Sequence, residues 1–221
     1  MSVPGEVASL RHQLGSLLPG APARRRQIVA HAEAWRLANE DADAAGGPLW
    51  VVLGDSTAQA IGAAGIDGGY VAAVRDWLAE RDGIPWRVVN LSRSGALAAD
   101  VVAEQLAALA ALTPDLVSCA VGANDLIRPA GDFGEAMAAI ARRLPPGSLL
   151  ANLPRGLREA RARRHNELIA SLVERHHLRL VDLWAATGPP WRGKYAADWF
   201  HPNDLGYQDW AIAFRAALTG S

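Results

Sequence analysis

The sequence predicts an α/β fold in which five parallel strands form a sheet with helices on both faces. Five short apolar runs, continuous rather than alternating in polarity, are separated by longer segments of helical periodicity. Strands that are apolar on both sides are typical of parallel sheets covered by helices. The chain has 221 residues, half of them hydrophobic, which suffices for one domain of this class with a modest extension.

Each element of this fold follows from a local pattern. The predicted strands are residues 49–53, 87–91, 115–121, 148–153 and 179–183. Apolar side chains at helical spacing predict helices around Val71/Val74/Leu78, Val102/Leu106/Leu109, Phe133/Met137/Ile140/Leu144, residues 157–176 and Tyr207/Trp210/Ala211/Phe214/Leu218. Asp132, with Glu135 three residues later, marks the start of one of these helices.

Residues 1–47 form a separate helical extension in this prediction, and residues 48–221 form the main domain. Leucines at positions 10, 14, 17 and 18 recur at helical spacing until the Pro-Gly-Ala-Pro segment at 19–22 interrupts the pattern. A second amphipathic run places Ile28, Ala32 and Trp35 on one face. Such faces must be buried, so we expect the two helices either to pack on the main domain or to join copies of the chain in a homo-oligomer.

The composition argues against several classes of function. Twenty-two basic and 23 acidic residues give a net charge of −1, so the chain lacks the broad positive field of a general nucleic-acid binder. With Cys119 as the one cysteine, neither an internal disulfide nor a CxxC metal site is expected. Residues 188–194 have the spacing of a phosphate-binding P-loop, but Tyr195 replaces the magnesium-binding hydroxyl and two prolines remove N–H groups. We therefore expect no metal and no cofactor.

The sequence also predicts no membrane span and no secretory signal. The longest stretches without a charge are about a dozen residues, whereas a spanning helix needs roughly 20. Glu6 and Arg11 interrupt the apolar core that a signal peptide requires. The predicted location is therefore cytoplasmic.

Polar residues capable of chemistry follow four of the five predicted strands. Residues 54–57 (Gly-Asp-Ser-Thr), 90–95 (Asn-Leu-Ser-Arg-Ser-Gly) and 122–125 (Gly-Ala-Asn-Asp) follow the first three strands. Residues 198–203 (Asp-Trp-Phe-His-Pro-Asn) lie in the long loop after the fifth. Ligands of parallel α/β sheets bind beyond the carboxyl ends of the strands. We therefore expect these four segments to share one edge of the sheet.

Ser56, Asp198 and His201 are the parts of an activated serine nucleophile. A serine hydroxyl keeps its proton at neutral pH, so an imidazole must remove the proton and a carboxylate must orient that imidazole. Asp198 and His201 are three residues apart and can meet across one turn. Acyl transfer also needs hydrogen-bond donors for the developing oxyanion. The candidate donors are the backbone N–H groups of Ser56 and Gly95 and the side-chain amide of Asn124; Gly95 lacks a Cβ, so a substrate can approach its backbone.

Together these segments resemble the four sequence blocks of the SGNH (GDSL-type) hydrolases, in the family's order over roughly residues 49–218. The matching residues are Ser56 in Gly-Asp-Ser, Gly95, Asn124 in Gly-Ala-Asn-Asp and His201 in Asp-Trp-Phe-His-Pro. The resemblance implies a three-layer α/β/α sandwich similar to flavodoxin's. It implies that Ser56 is the nucleophile, that Asp198 and His201 complete the triad, and that Ser56, Gly95 and Asn124 form the oxyanion hole. The implied activity is hydrolysis of acyl esters of small alcohols, sugars or lipids through an acyl-enzyme.

The candidate substrate contacts lie after the fourth strand and around the histidine loop. Four arginines recur every three residues: Arg155, Arg158, Arg161 and Arg164. They form either a solvated helix face or a basic stripe, led by Arg155 and Arg158, that binds an anionic sugar or the phosphates of an acyl-CoA. Trp191, Trp199 and Phe200 either line an acyl or sugar pocket or pack the loop.

Two alternatives to an esterase remain open. The same acyl-enzyme serves an acyltransferase in which a sugar hydroxyl of the glucosylglycerate type replaces water, and the family resemblance includes intracellular octanoyltransferases that acylate mycobacterial-type sugar precursors. The second alternative belongs to a different class of function: a flavodoxin-like binding module with an inactive triad. Bound flavin would favour the binding module, and rapid labelling of Ser56 by a fluorophosphonate would exclude it.

Overall fold

The computed structural model describes residues 21–128 and 130–220, and at its centre is one parallel sheet in the order β2-β1-β3-β4-β5. The strands are β1 (Leu49–Gly54), β2 (Arg87–Asn90), β3 (Leu116–Ala120), β4 (Leu149–Ala151) and β5 (Arg179–Val181). The chain leaves β1 toward β2 on one side and returns past it to β3 on the other, so the strand order reverses beside β1. In open α/β sheets the ligand crevice lies at such a reversal, beyond the carboxyl ends of the strands.

Helices cover both faces of the sheet. In chain order they are α1 (Ala21–Ala44), α2 (Tyr70–Asp82), α3 (Ala98–Asp100), α4 (Leu106–Leu109), α5 (Ala123–Ile127), α6 (Phe133–Arg143), α7 (Glu159–Arg175), α8 (Leu183–Ala186) and α9 (Asp204–Thr219). Residues of α3, α4, α6 and α7 pack on one face, and residues of α1, α2, α8 and α9 pack mainly on the other. The predicted three-layer α/β/α sandwich is confirmed.

The continuous apolar pattern of β1 is explained by its two packed faces. Val51 and Leu53 belong to one core cluster, while Trp50 and Val52 belong to the other. Every residue of β1 is buried. A strand covered on both sides has no solvent face, so it shows no polar alternation.

The predicted strands and most predicted helices agree with the structure. Each observed strand begins within one residue of its predicted start, although β4 and β5 end two residues earlier than predicted. Asp132 accepts a hydrogen bond from the Glu135 backbone N–H at 3.0 Å, as expected of the residue that caps α6. The predicted helix around Val102, Leu106 and Leu109 is interrupted: a π-helical segment (Val101–Gln105) separates α3 from α4.

α1 lies against the edge strand β2. The Asn39 side chain donates to the backbone carbonyl of Asn90 and accepts from its N–H, at 3.0 and 2.8 Å, so it occupies the place of a neighbouring strand. The Arg87 guanidinium donates to the carbonyl oxygen of Ala42. A helix on an edge strand protects the strand's unpaired backbone groups from pairing with other chains.

The packed face of α1 differs from the predicted one. Trp35 is buried as expected, but Ala32 is exposed and Ile28 is only half-buried. The prediction of this stripe was wrong because it followed apolar residues alone, whereas polar side chains of α1 also make tertiary contacts. The first predicted helix, at Leu10–Leu18, lies outside the described residues. Among the described residues, 21–128 and 130–220, no helix is long and apolar enough to cross a membrane.

Candidate active site

The tight exit of β1 places Ser56 at the reversal of the strand order. Gly54 ends β1 with φ 151°, and a Cβ there would lie 2.4 Å from the carbonyl oxygen of Ala120 in β3. Only glycine permits this approach of the two strands at their carboxyl ends. The chain then turns, so Ser56 lies directly beyond the sheet and is buried.

Ser56 and His201 are in hydrogen-bond contact although 145 residues separate them in the sequence. The Ser56 hydroxyl oxygen lies 2.9 Å from Nε2 of His201. His201 is also buried, and the Phe200 ring packs edge-on against its imidazole, with ring centroids 4.8 Å apart. The contact joins the exit of β1 to the loop between β5 and α9.

Asp198 holds the other side of the same imidazole. Its Oδ2 lies 2.7 Å from Nδ1 of His201, and its Oδ1 accepts the backbone N–H groups of Phe200 and His201, both at 3.0 Å. A carboxylate only accepts hydrogen bonds, so Nδ1 carries the imidazole proton and Nε2 is free to accept from the Ser56 hydroxyl. This is the protonation state in which a histidine can act as a base toward serine.

Asp198 remains ionised because its hydrogen bonds outweigh its burial. Burial alone would raise the pKa of Asp198, but hydrogen bonds from the His201 side chain and backbone, with attraction to His201, hold that pKa well below its usual value. The carboxylate therefore stays charged across the working pH range and can balance a transient positive charge on the imidazole.

Gly95 follows β2 and Asn124 follows β3, the two strands on either side of β1. Asn124 is buried in the first turn of α5, and its Nδ2 donates to the carbonyl oxygen of Ala96 at 3.1 Å. The same nitrogen lies 3.4 Å from Oδ2 of Asp55. The carbonyl oxygen of Gly95 accepts from Nη2 of Arg128 at 2.9 Å. The candidate donors of the oxyanion hole therefore lie on backbone segments that hydrogen bonds fix in place.

The sequence patterns assigned no role to two buried polar residues beside Ser56, namely Asp55 and Gln59. Asp55 accepts from the backbone and hydroxyl of Thr57 at 3.0 and 2.8 Å, and burial raises its pKa. Gln59 donates to the carbonyl of Ser92 and accepts from the backbone and hydroxyl of Ser94, which links the loop after β1 to the loop that carries Gly95. The only signal in the sequence was their position beside a strand-end glycine and serine.

An apolar pocket of about 270 Å³ opens beside the triad. Residues adjacent in sequence to the candidate catalytic positions line it: Thr57 follows Ser56, Ala123 precedes Asn124, and Phe200 and Pro202 flank His201. The remaining wall is formed by Pro154, Arg155, Gly156, Leu157, Thr187, Trp191, Tyr195, Trp199 and Trp210. Trp199 is 82% exposed, so its ring stands at the mouth of the pocket.

The arginines after β4 do not share one environment. Arg155 lines the pocket, with its Nε donating to the carbonyl of Trp184 at 2.9 Å. Arg158 is exposed at the N-terminus of α7, outside the residues that line this pocket, and Arg161 donates to the carbonyl of Leu126. The helix begins only at Glu159, so the three-residue spacing does not place these side chains in a single stripe.

Comparisons with known proteins identify a family and several similar folds. The family model of the GDSL-like lipase/acylhydrolase family matches the sequence over residues 52–208. This span contains all five candidate catalytic and oxyanion residues. The structure of LAE5, described as an alpha/beta hydrolase enzyme from the metagenome of Lake Arreo, Spain, is 27% identical with a TM-score of 0.65 and covers 79% of this chain and 96% of its own.

Two further solved structures have the same fold. TesA is 26% identical, with a TM-score of 0.64 over 78% of this chain and 98% of its own. Axe2, an acetylxylan esterase from Geobacillus stearothermophilus, is 22% identical, with a TM-score of 0.66 over 78% of this chain and 94% of its own. At that identity the likeness to Axe2 concerns the fold. No curated protein matches the chain.

Proposed function

The chain belongs to the GDSL-like lipase/acylhydrolase family, and we propose that it hydrolyses carboxylic esters of short to medium acyl chains, with Ser56 as the nucleophile. The observation that carries this proposal is the continuous contact from Asp198 through His201 to Ser56, at 2.7 and 2.9 Å, directly beside an apolar pocket. Each step of the reaction follows from this arrangement.

In the first step the Ser56 oxygen attacks the acyl carbonyl while Nε2 of His201 takes its proton. Asp198, held ionised, stabilises the resulting imidazolium and fixes the ring orientation. The C–O bond of the ester then breaks, and the imidazolium returns its proton to the leaving alcohol. The acyl group remains on Ser56 as an ester.

The negative oxygen of the tetrahedral intermediate is stabilised by the donors around Ser56. In our proposal the Asn124 amide turns its hydrogen from the long 3.4 Å contact with Asp55 toward the oxyanion and keeps its bond to Ala96. The N–H groups of Ser56 and Gly95 complete the set. Donors that strengthen only as charge develops lower the barrier rather than the ground state.

In the second step water attacks the acyl-enzyme with His201 again as the base, and the free acid leaves. The acyl chain occupies the apolar pocket during both steps, with Trp199 and Arg155 beside the alcohol portion. We propose that this pocket, about 270 Å³ and walled by apolar and aromatic side chains, takes a short to medium acyl chain such as octanoyl better than palmitoyl.

A series of p-nitrophenyl esters from acetyl to palmitoyl tests this proposal, with Ser56→Ala as the control for background reaction. We expect turnover to rise toward octanoyl and to fall sharply at palmitoyl. No turnover above the Ser56→Ala background for any ester, or a flavin absorbance in the purified protein, would contradict an esterase. The second result would favour the binding module.

Acyl transfer shares the acyl-enzyme, so product analysis must separate it from hydrolysis. The exposed Trp199 ring at the pocket mouth favours an acceptor with a sugar ring, because an apolar ring face can stack on it. The test is mass spectrometry of products from an octanoyl donor with and without neutral and anionic sugars. Free acid as the only product supports hydrolysis; an acylated sugar whose yield falls in Trp199→Ala would establish transfer.

A further inference from the structure

The N-terminal helix α1, which lies outside the residues matched by the family model, reaches the triad. Nη1 of Arg24 lies 3.3 Å from Oδ2 of Asp198, the same oxygen that accepts from Nδ1 of His201. Building on the proposed function, we propose that Arg24 is a positioning residue: it fixes the Asp198 carboxylate and moderates its effect on His201, so that α1 is part of the working enzyme.

α1 is fixed to the loop that carries Ser56 by polar contacts one and two turns further along. Gln27 accepts the backbone N–H of Gly62 at 3.0 Å and donates to the carbonyl of Ala63 at 2.6 Å. His31 lies with Nδ1 2.9 Å from the carbonyl oxygen of Gln59. The carbonyl accepts, so Nδ1 donates. These bonds set the position of α1, and therefore of Arg24, relative to the nucleophile.

The backbone that Gln27 holds lies directly against the catalytic histidine. Gly62 has φ 101°, and a Cβ there would lie 2.8 Å from Cβ of His201 and 2.3 Å from the carbonyl oxygen of Pro202. No side chain fits between Gly62, to which Gln27 of α1 binds, and the loop that carries His201. α1 is therefore bound to backbone that is in close contact with the loop that carries His201.

A cavity of about 220 Å³ between α1 and the His201 loop leads to Asp198, and Arg24 forms part of its wall. The side chain of Arg24 is 27% exposed and that of Asp198 is 9% exposed, so the guanidinium lies between the carboxylate and solvent. Removal of the guanidinium would open Asp198 to water and leave its Oδ2 with one donor fewer.

The charged groups around His201 determine in which direction loss of Arg24 shifts the pH dependence of kcat/KM. Asp198 lies on its own loop, Arg24 on α1, and the neutral Ser56 hydroxyl and buried Asp55 on the exit of β1. The buried Tyr207 of α9 donates its hydroxyl to the carbonyl of Ile61. Arg24 is the one cation in this set and disfavours a second positive charge on the imidazole. Removal of Arg24 therefore makes protonation of His201 easier. The fall of kcat/KM at low pH, called the acid limb below, then occurs at higher pH.

The test compares Arg24→Gln with Arg25→Gln, a matched control that removes the same charge from an exposed neighbouring position on α1. For Arg24→Gln we expect kcat to fall about three- to tenfold, KM to change less than about twofold, and the acid limb to move up by about half a pH unit. Arg24→Lys keeps the positive charge, so it should return the acid limb to its wild-type pH. It should restore only part of kcat. Arg25→Gln should match the wild type.

The failure of this proposal can be told apart from failure of the proposed function. If the wild type hydrolyses esters and Arg24→Gln matches Arg25→Gln in both kcat and the acid limb, Arg24 has no positioning role. If Arg24→Gln lowers only the melting temperature, α1 is a structural support and the proposal is wrong. If the wild type neither turns over esters nor reacts with a fluorophosphonate, the proposed function fails and this inference with it.

Discussion

The two hydrogen bonds of His201 connect it to regions that are built in different ways. On the Nδ1 side, Asp198 lies three residues earlier in the same turn, near solvent and beside α1. On the Nε2 side, Ser56 lies 145 residues away, at the exit of a central strand. The acid side is a local turn supported from the surface, whereas the nucleophile side depends on the register of the whole sheet.

The surroundings of the two sides differ in burial. The nucleophile side rests on buried polar residues, including Asp55, Gln59 and Asn90, which bridge three strand exits. Leaving such groups unpaired costs about 1–3 kcal/mol each. The acid side rests on backbone N–H groups of its own turn and on the partly exposed Arg24. We therefore expect changes to the buried polar residues that support the nucleophile side to affect folding as well as rate, and changes on the acid side to affect mainly rate.

Ser56→Ala is expected to have the largest effect and to separate chemistry from folding. It removes the nucleophile, so turnover should fall by roughly 10⁴- to 10⁶-fold, and His201→Ala should cost a similar factor. The melting temperature should stay close to that of the wild type, because only one oxygen is lost. Ser171→Ala, at an exposed serine of α7, is the matched control for the substitution. More than a few per cent of residual activity in Ser56→Ala would exclude Ser56 as the nucleophile.

Asp198→Ala should cost less, roughly 10³- to 10⁴-fold in kcat, because the Ser56–His201 pair remains in place. Since the pKa of Asp198 is held well below its usual range, this carboxylate is not the group that titrates in the acid limb of kcat/KM. The acid limb should therefore persist in the variant and move to lower pH, because loss of the carboxylate charge disfavours a positive imidazole. Measurement of kcat/KM between about pH 4 and 9 checks this, and an acid limb that moves to higher pH would contradict the assignment.

Asn124→Ala tests the nucleophile side through the oxyanion. We expect kcat to fall by roughly 10²- to 10³-fold with little change in KM, because the amide binds the developing charge more strongly than the substrate carbonyl. Steady-state kinetics with the octanoyl ester measure both constants. A rise in KM at constant kcat would make Asn124 a ground-state contact instead.

Gln59→Ala should have the smallest effect on rate and the clearest effect on stability. The change leaves the buried carbonyl of Ser92 and the partly buried N–H and hydroxyl of Ser94 without this partner, at a cost of about 1–3 kcal/mol. Thermal unfolding should show a lower melting temperature, while kcat falls less than about tenfold. A melting temperature equal to that of the wild type would remove the distinction between the two sides of His201.

The sequence was sufficient to predict the fold and the placement of the five candidate site residues after strands, for a physical reason. Parallel strands bring their carboxyl ends to one edge, so residues just after strands become neighbours whatever their separation in the chain. Ser56, Gly95 and Asn124 follow this rule, and Asp198 and His201 are joined by a three-residue turn.

Contacts that depend on how a helix packs could not be predicted in the same way. Arg24 and Asp198 are 174 residues apart, and their meeting depends on which face of α1 contacts the sheet. That face includes Gln27 and His31, polar residues that an apolar stripe does not identify. The environments of the arginines could not be predicted for a related reason: Arg155 lies in the loop before α7, and Arg158 lies at the start of that helix.

The most direct test of the account is the site of fluorophosphonate labelling, mapped by peptide mass spectrometry on the wild type, Ser56→Ala and His201→Ala. A serine activated by His201 reacts fast, and an ordinary serine does not. We predict one adduct, on the peptide that contains Ser56, no adduct in Ser56→Ala and strongly slowed labelling in His201→Ala. An adduct on another residue, or a folded wild-type protein that does not react, would contradict the assignment of Ser56 as the activated nucleophile.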